Sequence, residues 1–539
     1  MAAGLEKIAI VGAGHNGLTC AAYLSRAGFD VSVFEKREIT GGLCVTESPF
    51  TRAPGIKVSS VASYFGMLRR EVIEELDLEK FGLKPYLTDP IEIILMAGGQ
   101  YVYTPREECG SDFKVDSVGE AEMEGWRCFW QEIQRAAAIV YPFYLKPGLT
   151  QERLIELLRA DGLTTIADHI FDGSLFQLLS KYVESDGLKA VAATCTPGFA
   201  GQPGSVFGCI HHGTASTCGE AGAWGQVQGG MGKITEALAR ASVNNGAKFY
   251  TGAAVRTVSV EGGRACGLEF EDGRKQAFDA VICALDPYVL FESLLSGIDG
   301  QALTKVKDHL NRFRPRISAA KLHFLLRALP GFKTLTAINH NHKGVIVIAP
   351  DKQSVEGAAM VVPQGKMPDQ LMLTMAFPTL EDPSMSSDAN DKHHVLTVDV
   401  HYLPAQIEGR PWTEQDDRGL EQAVVRTIES QCPGFRELIV ESYVVSPRLL
   451  AERYNLRSLS CWHLPMTPEH LFENRSLPGC EHYHTPVEHL YVCSAGTYPG
   501  GNVTAAPGHN LAKLLIERYK RQTKVGAMQA VSAANAKDG

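Results

Sequence analysis

Gly12, Gly14 and Gly17, with Glu35 further along, are the residues whose types and spacing most directly imply chemistry. In place they read Gly12-Ala13-Gly14-His15-Asn16-Gly17, a GxGxxG turn. The first glycine of such a turn permits a tight bend, the second lets backbone approach a pyrophosphate, and the third lets a helix pack closely on a strand. The helix that follows offers unpaired N–H groups to phosphate, so His15 and Asn16 count with the glycines as candidate contacts. Glu35 falls at roughly the twenty-residue spacing at which a carboxylate accepts hydrogen bonds from ribose hydroxyls and repels a 2′-phosphate. Lys36 and Arg37 follow it and soften that exclusion of a phosphorylated ribose, and Lys36 joins the candidate contacts. The bland alternative is a glycine-rich turn with no ligand.

Three other places carry chemical interest. Gly41-Gly42-Leu43 follows soon after Glu35, and paired glycines imply backbone lying close to a ligand. Cys44 comes next, but the position five residues on is Pro49, so the second thiol that dithiol chemistry needs is missing and Cys44 reads as a small buried hydrophobe. Cys209-Ile210-His211-His212-Gly213 holds an adjacent histidine pair. Sequence neighbours rarely face the same way, which argues against a joint metal site and leaves either His211 or His212 as a pocket candidate, against a hydrogen-bonded structural role.

These residues need a βαβ frame, and the sequence supplies one. Lys7-Ile8-Ala9-Ile10-Val11 reads as a buried parallel strand, Leu18 to Ala27 as a helix stopped by Gly28, and Asp30 to Phe34 as a second strand ending on Glu35. From about Ser59 to Trp224 the pattern turns to amphipathic helices, as at Arg69 to Leu76, Gly125 to Ala138 and Gln151 to Leu158. Gly225 to Leu238 then runs glycines straight into a helix that Gly246 ends. Strands over Ala247 to Tyr250 and Ala254 to Val260, a turn at Asp272-Gly273, and a strand over Phe278 to Leu285 bring the chain back to the first sheet. Runs at Lys321 to Leu326, Val345 to Ile348, Gln370 to Ala376 and Val395 to His401 predict a second, mixed sheet, with a helix over Glu414 to Cys432. The polar stretch Leu380 to Lys392 predicts a surface loop. Near the end, the apolar strand from His489 runs into the glycine-rich loop Gly496 to Asn510 and then into a helix over Leu511 to Arg518.

The chain has 539 residues, 45% hydrophobic and 21% charged, enough for a large core and more than one domain. A net charge of -9 and a pI near 6.0 argue against nucleic acid as a main partner, because no basic surplus neutralises phosphate. No leader or membrane-spanning run is recognisable, so a soluble protein is expected, with peripheral membrane contact left open. The 13 cysteines are scattered without CxxC or zinc spacing, which predicts reduced thiols in a reducing compartment and no metal site.

Three blocks, VGAGHNG with FEKR and GG, then GGMGKITEAL, then LYVCSAGTYPGGNVTAAPGHN, resemble the phytoene desaturase-like FAD oxidoreductases of the amine-oxidase-like FAD superfamily, close to the desaturase-like carotenoid ketolases. The resemblance runs over nearly the whole chain. It implies an α/β fold, with a Rossmann-type FAD-binding domain built from residues 1–75, 225–293 and 455–520, an α+β substrate or cap domain of mixed sheet and helices from 76–224 and 294–454, and a disordered tail at 521–539. It also implies that Gly12, Gly14 and Gly17 hold the pyrophosphate, Glu35 the ribose, and Gly41, Gly42 and Leu43 the middle of FAD. Val255 would meet the adenine by its backbone, and Gly496, Gly501, Asn502 and Val503 would lie near the pyrophosphate and flavin ends. Where relatives of that kind read AGTHPGGG and carry an arginine-proline pair, this chain reads Ala495 to Asn502 with Tyr498, and Asn474-Arg475-Ser476-Leu477-Pro478. Tyr498 therefore joins the pocket candidates. The expected activity is hydride removal from a lipophilic, polyprenoid- or carotenoid-like substrate, with O2 or a quinone reoxidising the flavin because no second GxGxxG unit is present. Two alternatives stay open: a flavin amine oxidase, which needs an aromatic cage, and a non-catalytic FAD-binding partner of another protein.

Overall fold

The computed structural model describes residues 6–96, 99–106, 114–116, 119–196, 198–338, 340–388 and 390–535, with 114–116 and 522–535 as backbone alone. Strand Lys7–Val11 is apolar and buried from Ile8 onward because it is the centre of a parallel sheet. Asp30–Phe34 and then Lys248–Tyr250 lie on one side of it, Ala280–Cys283 and then Leu490–Val492 on the other. Sheets covered on both faces read as continuous hydrophobic runs. Helices His15–Arg26, Gly232–Asn244 and Ala506–Asn535 pack together on one face. The antiparallel strands Val255–Glu261, Arg264–Phe270 and Lys275–Ala277 share a core with the other.

The second sheet has eight strands in the order Ile439–Val445, Ile317–Leu326, His394–Pro404, Leu373–Ala376, Val345–Ile348, Glu92–Leu95, Tyr101–Thr104 and Lys114–Asp116. It is mixed: Val345–Ile348 runs parallel to Glu92–Leu95 and the other pairs are antiparallel. Strand residues alternate between faces. Leu322, Phe324, Val398, Val400 and Leu373 share one core with Leu420, Val424 and Ile428 of helix Glu414–Gln431. Lys321, Asp399 and Thr374, one residue out of phase, look the opposite way into a cavity. Helices Glu120–Val140, Gln151–Ala160 and Ser205–Gly213 build a further core that closes that cavity from the side.

Two expectations change. The stretch from Leu380 is no simple surface loop: it begins in the short helix Pro378–Glu381, Asp382 and Met385 are buried, and Asp382 accepts hydrogen bonds from the backbone of Gly229 at 2.5 Å and Ser384 at 3.0 Å. A polar composition hid a carboxylate that caps buried N–H groups. The last helix runs from Ala506 through Asn535, so the segment expected to be disordered from 521 is helical to 535, and 536–539 lie outside the described residues. Among the described residues no helix is long and apolar enough to cross a membrane.

Candidate active site

The glycine turn is built by close backbone approach. Gly12 has φ +98°, and a Cβ there would stand 2.6 Å from Leu285 Cδ2; one on Gly17 would stand 2.2 Å from the Gly12 carbonyl oxygen. Gly14 differs, since a Cβ there would meet nothing within 4 Å. It borders open space at the N-terminus of helix His15–Arg26. Gly41 donates its N–H to the Ala13 carbonyl at 2.8 Å, and a Cβ on Gly42 would come 3.1 Å from Gly14 Cα, so the two glycine stretches lie against each other. The Glu35 carboxylate is fixed beside them, accepting from the Ala13 N–H at 3.0 Å and the Arg37 N–H at 2.9 Å. Gly252 and Ala253 donate to the carbonyls of Arg37 and Glu35, which lays the segment leading to Val255 along this bend. Lys36 is exposed.

The loop after Leu490–Val492 is positioned from below by Arg475. That side chain has no solvent exposure and donates to the carbonyls of Ala495 at 2.7 Å, Trp462 at 2.8 Å and Pro465 at 2.9 Å. Trp462 then packs under the loop, where a Cβ on Gly501 would stand 2.5 Å from its ring. Gly496 lies against Pro287 and His463. Asn502 has φ +65° and, with Val503, lines the cavity. His15 Nε2, Asn16 Oδ1 and Asn502 Nδ2 are buried without a hydrogen-bond partner, and burial, helped by His463, lowers the His15 pKa to about 4. Orphaned polar atoms beside the open side of Gly14 fit an extended phosphate-bearing ligand that would satisfy them.

The cavity, about 1130 Å³, runs from His15, Leu43, Cys44, Asn502 and Val503 to the out-of-phase face of the eight-stranded sheet. Lys321 is 3% exposed, and its ammonium donates to the Ser63 hydroxyl at 2.9 Å and the carbonyls of Ala62 at 3.2 Å and Val61 at 3.3 Å. Ser63 in turn donates to Asp399 at 2.8 Å. Burial lowers the Lys321 pKa while Asp399 opposes the fall. His401 bonds Thr374 at 2.9 Å, and burial lowers its pKa too. Cys44 is fully buried with its thiol on the Met231 carbonyl at 3.2 Å, and burial pushes its pKa up to about 12, which suits a small hydrophobe rather than a nucleophile.

A model of the flavin containing amine oxidoreductases matches residues 17–506. The chain belongs to that family. It is 28% identical over 551 residues to mouse (Mus musculus) pyridine nucleotide-disulfide oxidoreductase domain-containing protein 2, covering 95% of this chain and 93% of that protein. To the zeta-carotene-forming phytoene desaturase of Myxococcus xanthus it is 24% identical, over 92% of this chain and 90% of the other. A putrescine oxidase variant superimposes with a TM-score of 0.60 at 14% identity, over 96% of this chain and 99% of that one. The fold of this amine oxidoreductase-family chain is thus the FAD-binding amine oxidase fold, and FAD is its cofactor. Gly12, Gly14, His15, Asn16, Gly17 and Glu35 lie together around the N-terminus of helix His15–Arg26. Asn502 and Val503 line the cavity.

In this flavoprotein the three pocket candidates separate. His212 lines the cavity between the rings of Trp224 and Trp462, and burial, with His401, lowers its pKa to about 4. His211, on the same helix, turns into the core and bonds Tyr144. Tyr498 donates to the Phe143 carbonyl at 2.8 Å and packs on the helical core instead of lining the cavity. Sequence reasoning missed Lys321, Ser63, Asp399 and Glu92. For Lys321, Asp399 and Glu92 the one signal was a charged residue in phase with the polar side of an alternating strand, which also describes a solvent face; Ser63, on a loop, had none. Arg475 was noticed only as a departure from a pattern; its role as a carbonyl clamp needs the fold.

Proposed function

We propose that this flavoprotein removes hydride from a lipophilic, polyprenoid-like molecule. The observation that carries the proposal is the cavity: a space of about 1130 Å³ reaching from the glycine loops to the second sheet, walled largely by apolar side chains such as Val61, Phe65, Met67, Val347, Leu450 and Trp462. Pockets of this size and character bury most of a hydrophobic ligand. Bound FAD supplies a two-electron hydride acceptor. In a desaturation one substrate C–H bond breaks with its electron pair passing to that acceptor, the neighbouring carbon loses a proton that ends in bulk solvent, and a C=C bond forms. O2 or a quinone takes the electrons onward.

The chain's own contribution is positioning and electrostatics. The apolar walls exclude water and hold the chain of the substrate in register. Lys321, pinned by two carbonyls and Ser63, keeps a positive charge at a fixed place in the cavity, where it favours negative charge arriving nearby. The reading is supported by what the Myxococcus xanthus protein's own name says it does. The putrescine oxidase likeness keeps amine oxidation as a second reading, favoured by one observation, the Glu92 carboxylate in the cavity.

The test is to extract the protein as purified from its native source and analyse the released molecules by mass, then to add polyprenoid and amine candidates to the flavoprotein without oxygen. A co-extracted isoprenoid and loss of oxidised-flavin absorbance with isoprenoids are expected. Reduction by small amines alone would overturn the proposal.

A further inference from the structure

Glu92 opens strand Glu92–Leu95, opposite Thr104 on one side and Val345 on the other. Ile93 and Leu95 belong to the core beyond the sheet, so Glu92 and Ile94 are on the cavity face. Among the described residues the Glu92 carboxyl has neither a hydrogen-bond donor nor a cation, and burial alone pushes its pKa up to about 7. Every other carboxylate at this end of the cavity is occupied: Glu381 accepts the Gly344 N–H at 2.7 Å, Asp399 accepts from Ser63, and Glu220 pairs with Arg106 at 3.0 Å.

Glu92 is not alone in lacking a partner. The hydroxyl of Thr104, its direct cross-strand neighbour, is buried and unbonded. Two residues on, Arg106 donates from Nε to the Thr88 carbonyl at 2.6 Å and from Nη1 to Glu220, while its Nη2 is buried without a partner. All three residues line the cavity. Three unsatisfied polar groups on a strand pair and the turn just after it are costly in a folded protein unless a ligand completes them.

The geometry points to a polar subsite in which Glu92, with Thr104 and Arg106, receives the hydrogen-bond-donating end, a hydroxyl or an ammonium, of an otherwise lipophilic substrate. The inference rests on the lipophilic substrate proposed above and narrows it from a plain hydrocarbon to an amphiphile. A hydroxyl gives its hydrogen to Glu92 and accepts from the Thr104 hydroxyl across the strand pair. An ammonium bonds Glu92 and the Thr104 oxygen. Anchored at this end, the molecule extends its apolar body along the cavity toward Asn502 and Val503.

The test titrates the FAD-loaded protein with farnesol, farnesylamine and the hydrocarbon farnesene, read by calorimetry and by the shift in flavin absorbance. The wild type is expected to bind at least one polar probe about tenfold or more tighter than farnesene, as a bond to a charged acceptor allows. Glu92→Leu reduces that preference to about twofold or less while leaving farnesene binding in place, which also shows the cavity intact. Glu92→Gln separates the two head groups: it keeps farnesol, whose hydrogen an amide oxygen still accepts, and loses farnesylamine. Should Glu92→Leu not fold, Thr104→Val serves, with a smaller loss of the same preference. Farnesene binding as tightly as both polar probes, or a preference that survives Glu92→Leu, overturns the subsite alone. If none of the three binds, the lipophilic substrate falls, and the subsite with it.

Discussion

Replacing Arg475 by methionine isolates the contact that holds the loop after Leu490–Val492. The guanidinium is wholly buried, faces no carboxylate among its hydrogen-bond partners, and has its pKa lowered to about 9 by burial. Three of its bonds are short, to Ala495, Trp462 and Pro465, and two more reach His470 at 3.3 Å and Leu464 at 3.4 Å. Methionine fills much of the space but donates nothing. Each short bond removed leaves a buried carbonyl without its charged donor, at about 1.5–3 kcal/mol apiece. Relief from burying an uncompensated cation returns several kcal/mol. The difference is a destabilisation of about 2–5 kcal/mol, or roughly 2–4 °C in melting temperature for a chain of this size. Because Trp462 and Ala495 are two of the three carbonyls, the loss concentrates under Gly501 and Asn502, and FAD affinity falls by about tenfold or more. Thermal melts of the flavoprotein and FAD titration of the apoprotein measure both. Arg475→Lys keeps the charge but cannot span the fan of carbonyls and should behave almost as badly. A methionine variant that melts within about 1 °C of wild type and holds FAD equally well would refute the clamp.

Gly17→Ala should abolish FAD retention, since the added methyl stands 2.2 Å from the Gly12 oxygen and the turn must open by a backbone shift costing about 1–3 kcal/mol or more; the check is flavin content on purification. Lys321→Met should keep FAD but lower its reduction potential by several tens of millivolts, about 30 mV for each 1.4 kcal/mol of lost stabilisation of negative charge, as read by spectroelectrochemistry. An unmoved potential would make Lys321 purely structural. His15 and His212, each lowered to about 4, are held neutral by burial, so the unfolded chain binds more protons between about pH 4 and 6.5. The stability they contribute is present above that window and lost as pH falls through it, up to about 2 kcal/mol each at pH 5. Melting temperatures that stay level from about pH 7 to 5 would contradict this.

The cofactor half was readable because its signals are local. GxGxxG, the helix behind it and Glu35 lie within one supersecondary unit, and its close approaches are made by glycines a few residues apart. Four strands of the second sheet were also readable from their apolar runs, though Ile317–Leu326 and His394–Pro404 extend further than apolarity alone marks, while Glu92–Leu95, Tyr101–Thr104, Lys114–Asp116 and Ile439–Val445 were not read as strands. The cavity was not. Lys321 meets Ser63 and Asp399 only because two strands and a loop far apart in sequence converge, and a lone Lys, Asp or Glu in an alternating strand carries the same pattern whether its face meets water or an enclosed space. His211 and His212 were indistinguishable in sequence; the helix rotates one onto Tyr144 and the other between two tryptophans.

The parallel sheet has a consequence for how the chain is made. Its central strand, Lys7–Val11, pairs with Ala280–Cys283, whose other edge waits for Leu490–Val492. At a ribosomal pace of about 5–20 residues per second, the first strand leaves the tunnel well over ten seconds before its second neighbour and later still before the strand that closes the edge. Through that interval the nascent chain carries an apolar strand edge with nothing to pair against, the condition that invites chaperones and misassembly. The second sheet closes earlier, with Ile439–Val445 as its last strand. Vectorial synthesis therefore completes the eight-stranded sheet first, and the parallel sheet only once the region around Arg475 and Leu490 has emerged.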